Sequence, residues 1–290
     1  MSVGRAQRGR TATANRDSPG PNGTSKLLTM TGHTIHLRAR GALIWSAALG
    51  ALGALFVALY PSISGSGASI EQMMSSMPAA MRDMIGYGGG AFSSVEGWLA
   101  GEMLSFLVPL ALSFFPILVA SSAIAGSEED GTMDMLLGNP LSRSQFALAR
   151  FAAAAILLLG IVTLMGAVTW LTGIIVDVDL GLGSMAAASL SLWSLCIFFG
   201  GIALLLSAAL HRRFLALAIP ATLLILMYFV DGLASSVELF DAIKPLSAFN
   251  YYGSAIQNGM DWTSFGVLAG ATAALVSVAL LIFLRRDIYS

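Results

Sequence analysis

The sequence predicts an all-α integral membrane protein with six transmembrane helices, an N-terminal interfacial helix and a short cytoplasmic helix between the second and third spans. Three observations lead there. Hydrophobic residues make up 56% of the 290-residue chain and charged residues only 11%, whereas about a quarter of a soluble domain is charged. Six apolar windows, each near the ~20 residues a helix needs to cross the hydrocarbon, are separated by polar segments. With both termini placed in the cytoplasm, thirteen of the fifteen lysines and arginines are cytoplasmic and only Arg82 and Lys244 lie outside, as the positive-inside rule requires.

Residues 1–30 mix Arg, Ser, Gly, Pro and Asn without an apolar period, the composition of a disordered basic tail, and the membrane domain is expected over 31–290. The tail lacks the apolar core of a cleaved signal peptide and the paired arginines of a twin-arginine signal, so the first span reads as a retained anchor. From Thr31 to Arg40 polar and apolar residues alternate around a helix, which suits a segment lying at the interface. His33 and His36 are three apart there, but two imidazoles without a carboxylate or thiol make a poor metal site. The first span is Gly41 to Tyr60.

The largest external segment, Pro61 to Trp98, carries Met73, Met77, Met81 and Met84 at helical spacing. A packing face is the preferred reading; the sharper alternative is a thioether site for copper(I). Gly86-Tyr-Gly-Gly-Gly90 follows as a hinge. In the second span, Leu99 to Ala123, Pro109 and Pro116 each remove a backbone donor and are expected to kink the helix, and Glu102 is an acid near its start, placed to line a polar path or to reach water. The third span is Phe146 to Val176, and the fourth, Met185 to Leu210, holds the single cysteine, Cys196, which has no disulfide partner. The fifth, Phe214 to Val230, contains Pro220; the sixth, Thr263 to Leu284, contains the G-x-x-x-G pair Gly266 and Gly270, which permits close helix contact. Between them, Asp231 to Trp262 is too polar to span and too rich in Leu, Phe and Tyr to be a free loop.

The most informative stretch is Ala125 to Arg150, a polar, acidic helix signal between two long apolar runs. Ser127 has the chemistry of an N-cap, with Glu128, Glu129 and Asp130 in the first turn, where exposed amides stabilise carboxylates, and Asp130 completes a loose capping box. Met133, Leu136 and Leu137 form a short apolar edge. Pro140 ends this helix, and Ser142 with Gln145 restarts another that enters the third span.

This order of residues resembles the signature of the type-2 ABC exporter (ABC-2) permeases: Gly126, Glu128, Glu129, Gly131, Thr132, Leu136, Leu137, Pro140, Ser142 and Arg143 match it one by one. The resemblance implies a cytoplasmic coupling helix that rests on a separate ABC ATPase subunit, with Ser127, Glu128, Glu129, Asp130, Gly131, Thr132, Met133, Leu136, Leu137, Pro140 and Arg143 as the coupling residues. It further implies an elbow helix before the first span and a capping segment, Lys244 to Tyr252, before the last. A second permease copy or paralogue would complete the pathway in the lipid of the plasma membrane, with ATP and magnesium on the partner ATPase and no cofactor on this chain.

Several activities are excluded by what is missing. Neither Lys26 nor Lys244 follows a glycine, so there is no phosphate loop for ATP. His33, His36 and His211 all fall at cytoplasmic edges, away from any serine at membrane depth that they would need to activate. The spans are almost free of charge and show no repeated halves, against a secondary carrier, and the charge distribution gives no reason to expect nucleic acid. The reading is a non-enzymatic permease subunit of an ATP-driven exporter; the alternatives are a regulatory or energy-transducing membrane partner that moves no solute and, further off, a secondary carrier.

Overall fold

The computed structural model describes residues 23–64, 72, 76–78, 81, 94–129, 143–210, 212–234 and 238–285. All regular structure there is helical. Five helices are long and apolar enough to cross a membrane, and a sixth crossing is made by a bent pair. In order these are α1 (Gly23–Ser64), the pair α2 (Val95–Leu99) and α3 (Leu107–Ser121), then, after the short α4 (Ala125–Glu129), α5 (Arg143–Ile175), α6 (Leu182–Ala209) and α7 (Arg213–Leu233). Three short helices, α8 (Glu238–Ile243), α9 (Ala248–Tyr252) and α10 (Ala255–Asn258), lead into α11 (Trp262–Arg285). Successive spans alternate in direction, so one end of the bundle gathers Arg38, Arg150, Arg212, Arg213 and Arg285, and the other Glu96, Asp177, Asp179, Asp231 and Asp261.

α6 is the central helix, with 72% of its apolar window buried, and it packs against α3, α5, α7 and α11. α1 lies along α5. Its contact face runs through Thr31, Ile35, Arg38, Ala42, Ser46, Leu49, Gly53 and Val57, all buried or half-buried, a repeat of three and four residues that keeps one stripe against a neighbouring helix. This stripe crosses the expected junction at Gly41 without a break. A separate elbow helix over Thr31 to Arg40 is therefore not what forms: α1 is one helix, and it starts at Gly23 inside the segment expected to be a tail.

Close approach of the backbones depends on glycines other than the pair singled out in the sequence. A Cβ on Gly53 would collide with Thr169 Oγ1, and one on Gly200 would sit 2.9 Å from the Pro116 ring, so α1–α5 and α3–α6 meet through these gaps. Gly266 and Gly270 have open space where a side chain would go.

The second span breaks earlier than its prolines suggest. Ala100–Leu104 is a π turn, Ser105 donates its N–H to Ala100 O (2.9 Å), and α3 departs at 49°. Pro109 causes this: its ring clashes with the carbonyl four residues back, that of Ser105, while its missing N–H falls in the first turn of α3, where no intrahelical partner is lost. Pro116 lies inside α3 and fills the Gly200 gap instead of opening a second bend. Glu102 is exposed on the flank of the bundle. Of the methionine stripe, Met77 is half-buried and Met81 exposed; Met73 and Met84 lie outside the described residues, as does Gly86–Gly90.

At the acidic end the segment before α11 folds into the bundle. Tyr252 donates its hydroxyl to Leu104 O (2.9 Å), Ser191 Oγ donates to Tyr252 O (2.8 Å) and Ser247 Oγ donates to Met227 O (2.8 Å). Gly253, at φ +58, ends α9 in a conformation that side chains resist. Asp261 then caps α11, accepting from the Thr263 and Ser264 amides and the Ser264 hydroxyl. These bonds, that from the Ser264 hydroxyl foremost, hold its carboxyl below the usual range.

Candidate coupling site

α3 ends at Ser121, three residues turn, and α4 begins at Ala125. The helix N-terminus exposes amides with no intrahelical acceptor, and here the acceptor comes from another span. Ser207, wholly buried in α6, accepts from the amides of Ile124 (3.2 Å) and Ala125 (3.0 Å) and donates its own proton to Ser121 O (3.0 Å). One hydroxyl has one donor and two acceptor sites, and this one uses all three across the junction. Ser127 is the third residue of α4, and Asp130, its expected partner in a capping box, lies outside the described residues.

Two arginines close the same turn from other sides. Arg150 of α5 donates from Nη1 to Ser122 O (3.1 Å) and Ala123 O (3.3 Å), and its guanidinium lies 4.7 Å from the centre of the Phe146 ring. Arg38 of α1 donates from Nη2 to Ser122 Oγ (3.0 Å). Charged donors make the stronger kind of hydrogen bond, and both are spent on the carbonyl end of α3, where helix polarity favours cations.

The fourth tie runs outward from α4. Glu129 Oε1 accepts the backbone N–H of Arg213 (2.9 Å), the first residue of α7. α7 has no capping side chain of its own at Arg212, so a carboxylate from the acidic run supplies the negative charge its N-terminus attracts. Gly126 permits the approach: a Cβ there would stand 3.2 Å from Ser122 Cβ and 3.3 Å from Arg213 Cδ. The base of the segment is thus bonded to α1, α5, α6 and α7 together.

Residues 27–284 match the family model described as the C-terminal domain of the multidrug efflux system permease Rv1217c. The chain belongs to that family. It is an ABC-2-type permease domain, the transmembrane subunit of an ABC exporter, and a multi-pass membrane protein. No curated protein matches it closely.

Within the permease, the expected coupling residues divide in two. Ser127, Glu128 and Glu129 lie in α4, with the Glu129 side chain at the α7 terminus; Arg143 opens α5. Asp130, Gly131, Thr132, Met133, Leu136, Leu137 and Pro140 lie outside the described residues. The residues that clasp the junction, Arg38, Ser122, Arg150 and Ser207, were not singled out for this role in the sequence. Their signal was weak: a serine in an apolar helix, and arginines that count equally well toward topology.

Proposed function

We propose that this permease exports hydrophobic small molecules across the plasma membrane, driven by a separate ABC ATPase subunit that docks on the segment from Ala125 to Arg143. ATP and magnesium belong to that subunit. Both termini are cytoplasmic, which puts the arginine-rich end of the bundle on the side where the ATPase waits, in keeping with the basic-residue split.

The observation that carries this reading is the four-way clasp at the α3–α4 junction. A push on α4 is not absorbed by a loose loop, because its base is bonded to α1, α5, α6 and α7. Rigid coupling to several spans is what a lever between ATP-driven closure and a membrane pathway needs. The second permease copy or paralogue is expected against the flank where Glu102, Phe106 and Phe229 are exposed, the two rings packing on either side of Tyr228 (5.4 and 5.7 Å between centroids). A carboxylate at this depth suits a protein interface or aqueous path better than lipid.

The test is transport. Proteoliposomes holding the permease and its ATPase, with the nucleotide-binding side outward, should accumulate an uncharged fluorescent dye only when ATP and magnesium are added. Hydrolysis without accumulation of any solute, across a panel of dyes, would favour the regulatory partner that moves nothing.

A further inference from the structure

At the acidic end, between the π turn, α6, α7 and the α9–α10 segment, lies a cavity of about 290 Å³ lined by Leu104, Tyr228, Asp231, Phe249, Tyr252 and Gln257 among others. Its volume falls just below the range of drug-sized ligand pockets, which begins at about 300 Å³. Tyr228 and Asp231 are three apart on α7 and so share a face of that helix. Around them the rings form a cluster, Tyr228 to Phe249 at 5.6 Å and Phe249 to Tyr252 at 6.5 Å. Asp231 Oδ1 is shut off from solvent and has no hydrogen-bond partner among the described residues. A buried carboxylate oxygen without a donor is costly, and Asp231 is one of the residues that line the cavity.

We propose that this cavity is a binding subsite for a small organic cation, with Asp231 as the counter-charge and the surrounding rings as the cation–π wall. The proposal rests on the export reading and adds to its uncharged solutes a class with a compact quaternary or protonated amine head. Three features point the same way. The carboxylate attracts a cation and, at Oδ1, lacks a proton donor among the described residues. Tyr and Phe rings attract a desolvated cation through the negative faces of their π systems. The cavity suits a head group and not a whole drug, so an apolar remainder would extend beyond it. Lys244 is the described cation whose charge reaches Asp231, yet it does not satisfy Oδ1; a ligand cation would take over its electrostatic role.

The test uses the permease–ATPase complex in nanodiscs free of choline lipids, probed with choline and with its uncharged carbon analogue 3,3-dimethylbutan-1-ol in saturation-transfer titrations. Choline is expected to bind saturably and at least tenfold more tightly than the analogue. Asp231→Asn should weaken choline at least tenfold, with the thermal unfolding midpoint showing that the fold is kept, and Asp231→Glu should stay within about threefold of wild type. Lys244→Met gives an independent reading: removing the competing cation should tighten choline threefold or more. Equal binding of the two probes, choline binding unmoved by Asp231→Asn, or binding that Lys244→Met leaves unchanged or weakens overturns the proposal. ATP-driven uptake of the uncharged dye, measured on the same preparations, separates the two levels: uptake retained with choline binding lost sinks the subsite alone, and uptake absent with choline binding intact sinks the export reading.

Discussion

The two ends of the bundle solve the same problem, a helix interrupted at the edge of the membrane, in opposite ways. At the arginine-rich end the α3–α4 turn is held by directed bonds from three other helices, and the buried Ser207 hydroxyl is fully used. At the acidic end the α2–α3 break opens through a π turn, short helices replace a long one, and a carboxylate oxygen beside a cavity has no donor among the described residues. Saturated polar bonding makes a stiff junction, while incomplete bonding around a void leaves one that a ligand can reorganise. The difference is that between a lever and a pocket.

The largest effect is expected from striking the lever where the ATPase meets it. Replacing Leu136 and Leu137 together by Asp should cut copurification of the ATPase by more than a hundredfold, since each buried leucine is worth roughly 1.5 to 3 kcal/mol and each new carboxylate adds a desolvation cost. Undiminished copurification would remove this segment as the docking surface. Arg150→Leu comes next. It deprives Ser122 O and Ala123 O of their charged donor, a loss of about 1 to 3 kcal/mol, and amide exchange in residues 121–126 should quicken at least fivefold while α8–α10 keep their protection. Faster exchange spread over both ends would erase the contrast.

The acidic end should respond more mildly. Tyr252→Phe removes one hydrogen bond, to Leu104 O, worth about 0.5 to 1.5 kcal/mol, and should lower the unfolding midpoint slightly while loosening the π turn. A shift above that range would mean that this end is as tightly specified as the other. The smallest effect belongs to Gly266→Ala with Gly270→Ala. Both sites open onto empty space, so the stability of the isolated permease should stay within ~0.5 kcal/mol of wild type; a large loss would place a helix on that face.

Much of this architecture is legible in the chain. Five of the six apolar windows coincide with the spans to within a few residues, because length and apolarity are what the hydrocarbon demands, while the first, Gly41 to Tyr60, lies well inside the longer α1, Gly23–Ser64. The continuous α1 was hidden because its contact stripe is made of Thr31, Arg38, Ser46 and Gly53 as much as of Leu49 and Val57, and small or polar residues do not register as a hydrophobic face. The π turn was hidden because Pro109 marks a break without saying on which side it falls. The acidic run marks the segment where α4 begins, but the acceptor for the Ile124 and Ala125 amides is Ser207, a buried serine of another helix. Tertiary clasps of this kind join residues 27 to 86 positions apart, and no local pattern encodes them.

The role of the clasp is tested most directly by Ser207→Ala, measured as dye molecules transported per ATP hydrolysed in proteoliposomes. The substitution leaves the ATPase-facing surface untouched but strips the Ile124 and Ala125 amides and Ser121 O of their shared partner. ATPase capture and hydrolysis should remain within about twofold of wild type while transport per ATP falls at least tenfold. A variant that hydrolyses and transports in the wild-type ratio would contradict the lever.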